Sequence, residues 1–496
     1  MRAALVLLLL AAAARAERVL DILEYRVEGV ENLSNEEVER AVMPFLGPQR
    51  PIGDIELARA ALEKAYSDKG YQSVTVAIPP QTVRQGVVVL KATEGKVGRL
   101  RVRGSRWFLP SEIKSEAPSL AEGAVPNFND IVRDIVVLNQ MPDRRVTPAL
   151  RAGAVPGTID VDLNVQDRLP LHGSVELNNR YSAGTTQQRL IGTLHYDNLW
   201  QKGHELSLSF QVAPRRTSDG EVFSGSYLAR VTPWLSLTAT GIVQNSDIST
   251  LGSTTVIGRG RIFGGRATFT LPSGADWFQT LSAGVDYKHF GKEIDSDPFS
   301  TPIVYWPLSI QYALAGELSL ALSLVANLRG LGNGDDAFDA RRYKATGSFF
   351  YLRGEASRTQ ELPRGLQLFA RLQGQVATDP LLPSEQFAAG GAESVRGYVE
   401  AQAAGDSGLI GTLELRSPAL WGDLRVHAFF DGGRVSQLDP LPEQSHVFFL
   451  WSAGAGARVR LFDRLAGSLD LAEPLRTEGA TPRGRLRGHF RVQGEF

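Results

Sequence analysis

Cysteine is missing from all 496 residues, so no disulfide staples the chain, and thiol catalysis and thiolate metal sites are closed to it. An excess of charge is missing as well. The 53 Lys and Arg against 54 Asp and Glu leave a net charge of −1, which argues against a dedicated nucleic-acid binder. Long apolar runs are missing beyond the first few residues. Ala3 to Ala14 is unbroken and follows Met1-Arg2, but it is shorter than the roughly 20 residues that a membrane helix needs. With the small-residue pattern Ala14-Arg15-Ala16 behind it, this run reads as a secretory signal peptide over residues 1–16. If the remainder enters a membrane it must do so as a closed β-barrel, the other structure that satisfies its own backbone hydrogen bonds in lipid.

Catalytic signatures are equally scarce. There is no Gly-x-x-x-x-Gly-Lys-Ser/Thr phosphate loop and no Gly-x-Ser-x-Gly nucleophile elbow. The histidines, His172, His195, His204, His289, His427, His446 and His489, show no metal-ligand spacing. Asp335, Asp336 and Asp339 lack the spacing of a calcium loop and read as a solvated external loop. No enzyme activity, catalytic residue, metal or cofactor is expected.

What is present divides into two periods. From Glu17 to Gln166 strands and helices mix. Tyr25–Val27 reads as a strand, Ser34 and Glu37 have capping-box spacing for a helix reaching Phe45, and a second helix spans Ile55–Lys69. Strands Ser73–Ile78 and Val87–Thr93 follow, joined by the turn Pro79-Pro80-Gln81. The order then repeats: strand Val97–Val102, helices Pro110–Glu116 and Asn129–Asn139, strands Val146–Ala152 and Thr158–Gln166. Two copies about 75 residues apart predict two tandem α+β domains, over 17–95 and 96–167.

After Gln166 the helical period disappears. Leu206, Leu208, Phe210 and Val212 alternate with Ser207, Ser209 and Gln211, and such runs recur to the last residue. At roughly 20 residues per strand and connection, 168–496 predicts a transmembrane antiparallel barrel of about 16 strands. A large soluble β domain is the alternative. The final strand argues against it: Phe490, Val492 and Phe496 share the apolar face, and the chain ends on an aromatic where a barrel has its interfacial girdle.

Residues Phe387 to Tyr398 resemble the Gly-Gly…Val-Arg-Gly-Tyr signature of the superfamily that inserts or secretes proteins at the outer membrane. Phe429-Phe430-Asp431-Gly432-Gly433 resembles its Phe-x-Asp-x-Gly strand motif. The resemblance implies a loop, near 385–402, that folds back into the barrel and carries Val395, Arg396, Gly397 and Tyr398. The arginine would meet an acidic residue on the inner wall. Alternation independently turns His427, Phe429 and Asp431 inward, with Glu414 and Arg416. A buried guanidinium needs a carboxylate that accepts its fork in two bonds, so Asp431 is the expected partner of Arg396 and Glu414 the alternative. Gly454 and Gly456 on the following strand would leave room for the loop backbone, and Gly433 of the strand motif is a further wall partner of the loop.

Gly70-Tyr71, Ile78-Pro79-Pro80-Gln81, Gly86 and Thr93-Glu94-Gly95-Lys96-Val97 are similar to the first POTRA domain of two-partner-secretion transporters, the haemolysin secretion/activation type. That resemblance implies a Gram-negative outer-membrane pore with its two POTRA domains in the periplasm. They would recognise an unfolded partner protein, a large β-helical one, through Tyr71, Pro79 and Gln81. Phe490, Val492 and Phe496 would serve as the signal read by the machinery that inserts the barrel into outer-membrane lipid. The family's N-terminal plug helix and proline-rich linker have no counterpart before Tyr25, so either the loop bearing Arg396 alone occludes the lumen or the pore leaks at rest, and that loop is the gate that can be named. Two further readings use related parts: a factor inserting other barrels, and a passive porin, which needs neither the front domains nor the loop.

Overall fold

Alternating residues put one face of a strand in oil and the other in water, and from Leu171 onward the described residues close into a barrel of sixteen such strands. The computed structural model describes residues 19–245, 248–251, 254–257, 259–274, 276–291, 302–462 and 464–496. The signal segment expected at 1–16 lies outside them. In chain order the barrel strands are β1 Leu171–Asn178, β2 Arg189–Leu199, β3 His204–Val212 and β4 Glu221–Thr232. Next come β5 Leu235–Gln244, β6 Gly260–Thr270, β7 Phe278–Phe290 and β8 Ile303–Ala315. Then follow β9 Leu318–Gly332, β10 Phe350–Glu361, β11 Gln367–Ala377 and β12 Ser407–Arg416. The last four are β13 Arg425–Ser436, β14 Val447–Leu461, β15 Leu465–Pro474 and β16 Arg487–Glu495. Each pairs with its neighbour in sequence, and β16 closes on β1 from Arg491 opposite Asn178 to Glu495 opposite Ser174.

The outer wall is apolar. Leu206, Leu208 and Phe210 of β3, Leu413 and Leu415 of β12, and Val426 and Phe430 of β13 all stand exposed on it. In water so continuous an apolar band would aggregate, whereas against acyl chains it is at home. Trp200, Trp234, Trp277, Trp421 and Phe462 are exposed in alternate connections, on the rim where Phe496 ends the chain. Such a ring of aromatics marks a membrane interface.

The unit ahead of the barrel ends at Leu169 and holds two three-stranded sheets. In the first, Val87–Glu94 lies between Glu24–Glu28, parallel to it, and Val74–Ala77, antiparallel. In the second, Thr158–Asp167 lies between Lys96–Arg103, parallel, and Arg144–Ala152, antiparallel. Helices Asn35–Val42 and Gly53–Asp68 cover the first sheet and Pro110–Ser115 and Phe128–Leu138 the second, each domain with its own apolar core. The Ser34–Glu37 capping box forms, with the Ser34 amide donating to Glu37 over 2.8 Å. The α-helix ends at Val42 and finishes as a 3-10 turn at Met43–Phe45, where Pro44 has no N–H to continue the ladder. A two-stranded sheet of Val19–Ile22 and Gly47–Pro51 was not among the expected elements; Pro48 and Pro51 are tolerated because the strand is at an edge.

Glu94 lies at the centre of the first domain. Its carboxylate accepts from the amides of Glu31 (2.8 Å) and Asn32 (2.9 Å), from the Asn32 side chain, and from the buried Tyr66 hydroxyl (2.7 Å). Burial opposes its ionisation, yet these donors outweigh burial and hold the carboxyl below the ordinary glutamate range. Burial, with Glu94 beside it, pushes the Tyr66 phenol upward.

Candidate functional site

The connection between β11 and β12 turns into the barrel. From Leu381 to Asp406 every residue is buried or half-buried, and Phe387–Ala389 pairs with Ala403–Gly405 as a short hairpin inside the ring of strands. At its bend Gly390 and Gly391 have φ of +106° and +109°. A Cβ on Gly391 would overlap the Glu400 carboxylate, which accepts the Ala392 amide at 3.0 Å, so a side chain there is excluded twice over.

Arg396 is a buried charge of the loop, 4% exposed. Its Nε and Nη2 donate to the two oxygens of Asp431 at 2.8 and 2.9 Å, and its own amide donates to Asp431 at 3.1 Å. Nη1 donates to Glu414 at 3.0 Å and lies 3.7 Å from Asp470. The guanidinium carbon sits 3.3 Å from the centroid of the Phe429 ring. Asp431 and Glu414, the two alternatives in the sequence, thus both bind the same fork. Glu414 also takes Arg458 (2.7 and 3.1 Å) and Arg416 (2.8 Å), and Asp470 takes His427 at 2.7 Å. Three arginines meet three carboxylates, which is how buried charges avoid the cost of isolation.

The neighbours of Arg396 fix the loop backbone. Val395 is fully buried among Ile410, Val435 and Leu450. Gly397, at φ +91°, donates its amide to His489 Nε2 at 3.0 Å and receives Arg487 Nε on its carbonyl at 3.2 Å. The Tyr398 hydroxyl donates to the Arg476 carbonyl at 2.7 Å. Gly433 faces Val395 closely. Gly454 and Gly456 do something other than admit the loop backbone: a Cβ on Gly454 would overlap the Leu471 carbonyl of the neighbouring strand and the Phe429 ring, and one on Gly456 would overlap Asp470 and His427. They make space for wall side chains that hold Arg396.

A second anchor carries no motif in the sequence. Glu385, 1% exposed, accepts from Lys288 Nζ (2.7 Å) on β7, Tyr305 Oη (2.6 Å) on β8 and Tyr351 Oη (2.8 Å) on β10. Its backbone carbonyl accepts from Arg353 and Gln375. Tyr305 and Tyr351 stand in an aromatic cluster with Phe290, Phe338 and Phe349. Phe338 comes from Asp335–Arg341, expected as a solvated loop and found as a short helix whose phenylalanine is fully buried. Its periodicity is too short to register in sequence. Asp406 completes the support, accepting from the amides of Leu381 (2.8 Å) and Leu438 (2.6 Å).

In the first domain the expected recognition residues have uses of their own. Tyr71 packs on the core, Pro79 is half-buried in its turn, and the Gln81 amide both receives the Val89 N–H (2.7 Å) and donates to its carbonyl (2.8 Å). Gln81 thereby imitates one more strand residue. On β16, Phe490 is half-buried and Val492 exposed, while Phe496 exchanges two backbone bonds with Gly173 at 3.1 and 3.0 Å, its ring lying over that glycine.

The cluster around Arg396 sets charge against charge. Residues 157–459 match the family described as haemolysin secretion/activation protein ShlB/FhaC/HecB, and residues 20–95 match the POTRA domain, ShlB-type. The outer membrane transporter CdiB of Dickeya dadantii is 24% identical over 438 residues, covering 79% of this chain and 72% of that one. Among solved structures, CdiB from Escherichia coli superposes with a TM-score of 0.65 at 20% identity, over 98% of this chain and 92% of the other. BamA from Haemophilus ducreyi lacking POTRA domains 1-3 gives 0.59 at 15% identity, over 96% and 100%.

Proposed function

The chain belongs to the haemolysin secretion/activation protein family, with its barrel in the outer membrane and POTRA domains in the periplasm, and from that premise we propose that it secretes an unfolded partner protein through the barrel. The observation that carries this reading is the loop 381–405, folded into the lumen and held there by reversible ion pairs and hydrogen bonds. A loop fixed in this way is a stopper that can be withdrawn. An arriving partner has unpaired backbone, and a sheet edge can take it as an added strand, main-chain bonds giving affinity and side-chain pockets giving choice. The edges are unequally open. Glu63 caps Val76, Glu122 caps Leu100 and Asn139 caps Val146, each on an edge strand, and Gln81 covers Val89 of the central strand beyond the end of Val74–Ala77. Edge strand Glu24–Glu28 has no such side-chain cap among the described hydrogen bonds and is the receiving edge in this reading.

No nucleotide-binding motif is present, so folding of the partner outside the cell supplies direction. Deleting residues Glu17 to Thr93 is expected to stop export of the partner while the barrel still inserts and stays heat-modifiable on gels. Export that continues would sink the reading. So would a loss confined to insertion of other barrels, which points to an assembly factor.

A further inference from the structure

Three side chains of the first hairpin converge at one end of the barrel. His172 is the second residue of β1, and the antiparallel register places it directly opposite His195 of β2. Asp197 lies two residues beyond His195 and therefore on the same face of its strand. That face is the lumenal one, since Leu171, Val175, Leu177 and Leu194 take the exposed outer positions between them. The imidazole rings lie 5.0 Å apart at 31°. Asp197 Oδ2 is 3.8 Å from His172 Nε2 and 3.6 Å from His195 Nε2, and ligand atoms of all three fall within 4.8 Å of one another. Asp197 Oδ1 is buried with no hydrogen-bond partner among the described residues, so the carboxylate has capacity left over.

We propose that His172, His195 and Asp197 bind a divalent transition-metal ion of the zinc class. The argument is geometric. At zinc–ligand distances of about 2.0–2.1 Å, two ligands of a tetrahedral ion sit about 3.4 Å apart, so the Asp197–His172 and Asp197–His195 separations of 3.8 and 3.6 Å need little closure, and the two imidazoles, within 4.8 Å of each other, come the rest of the way by side-chain rotation. Two imidazoles with one carboxylate suit zinc, copper, nickel or iron and not calcium or magnesium, which take oxygen ligands. With three protein ligands the fourth position is left to water, on the side that faces the lumen. The site lies on the rim where β1 begins and β16 ends, and Gly173, next to His172, bonds Phe496 of the closing strand. The ion would tie together the first hairpin at its free end, and this holds whatever the barrel transports.

The test uses the full-length barrel in detergent, stripped of metal and titrated with Zn2+ against a chromophoric chelator. One ion per chain is expected, with binding weakened at least tenfold in His172→Ala, His195→Ala and Asp197→Asn, and unchanged in His446→Ala. Equal zinc uptake by wild type and by the double variant His172→Ala/His195→Ala overturns the site, as does Ca2+ competing on equal terms. Should the variants fail to fold, the wild-type protein decides by itself. Zn2+ is expected to protect His172 and His195 from diethyl pyrocarbonate, read by peptide mass spectrometry, and identical modification with and without zinc leaves a His–Asp ion pair only.

Discussion

The two anchors of the lumenal loop solve the same problem with opposite polarity. At one, the loop supplies a cation, Arg396, to a wall that carries Asp431, Glu414 and Asp470. At the other it supplies an anion, Glu385, to a wall that carries Lys288 and the hydroxyls of Tyr305 and Tyr351. The first is a network of full charges, balanced three against three; the second is one ion pair completed by neutral donors inside an aromatic cluster. Removing one member of a buried network leaves the rest uncompensated, whereas neutral donors can re-pair with a neutral acceptor. The Arg396 anchor should therefore dominate the loop's position, and the Glu385 anchor should be the one that yields first.

Because the chain has no cysteine, single cysteines can report on each anchor. Val395→Cys and Leu382→Cys are both at buried positions, so a thiol reagent reaches them only when the loop leaves the lumen. Asp431→Ala is expected to cost roughly 3–5 kcal/mol of docking, and so to raise labelling at Val395→Cys by about a hundredfold or more. Arg396→Asp combined with Asp431→Arg should recover part of that loss; no recovery would disprove the pairing. Glu385→Gln keeps one acceptor oxygen for a tyrosine and offers its NH2 to the other hydroxyl, but it strands Lys288, for an expected loss of roughly 2 kcal/mol and a faster reaction at Leu382→Cys than at Val395→Cys. Equal acceleration at both positions would mean that the loop releases as one body and that the two anchors are a single device.

The contrast between the anchors also explains what could be read beforehand. The Arg396 side was legible because its parts are local: Val395 to Tyr398 form one short run, and alternation alone turns Phe429 and Asp431 toward the lumen. Period two likewise predicted the strands, and a count of residues their number. The Glu385 side was not legible, since Lys288, Tyr305 and Tyr351 lie on three strands whose register exists only once the barrel has closed. His172 and His195 stayed hidden for the same reason, being neighbours across a strand pair and not along the chain. Gly454 and Gly456 were legible as open space on the wall, but not as space for Phe429 and His427, because the rotamers that fill it are set by packing.

A third buried carboxylate, outside the membrane, sharpens the comparison. Glu94 is held entirely by neutral donors, two amides, a hydroxyl and an amide side chain, with no cation among them. Its folded-state pKa is depressed, so the stability it contributes is present above the unfolded value of about 4.3 and is lost as pH falls through the folded value. Glu94→Gln is expected to destabilise the first domain by roughly 1.5 kcal/mol near neutral pH, the low end for hydrogen bonds to a charged group. Hydrogen exchange of the Val87–Glu94 amides in the intact chain should show the gap between wild type and variant close as the buffer is taken below pH 4. A gap that persists in acid would mean that the variant acts through packing and that the charge contributes nothing.

The smallest expected effect tests the wall and leaves both loop anchors chemically intact. In Gly454→Ala the added methyl meets the Phe429 ring, which lies face-on to Arg396, and the nearby Leu471 carbonyl restricts relief by a backbone shift. Overpacking of this kind typically costs about 1 kcal/mol at its lower end, or roughly a fivefold rise in labelling at Val395→Cys. The informative comparison is with Phe429→Ala, which removes both the clash and the aromatic face beneath the guanidinium. If the glycine exists to seat Phe429, Gly454→Ala adds almost nothing in that background, because residues in contact do not add. If the two changes add in full, the glycine serves the strand backbone, and the ring reaches Arg396 without its help.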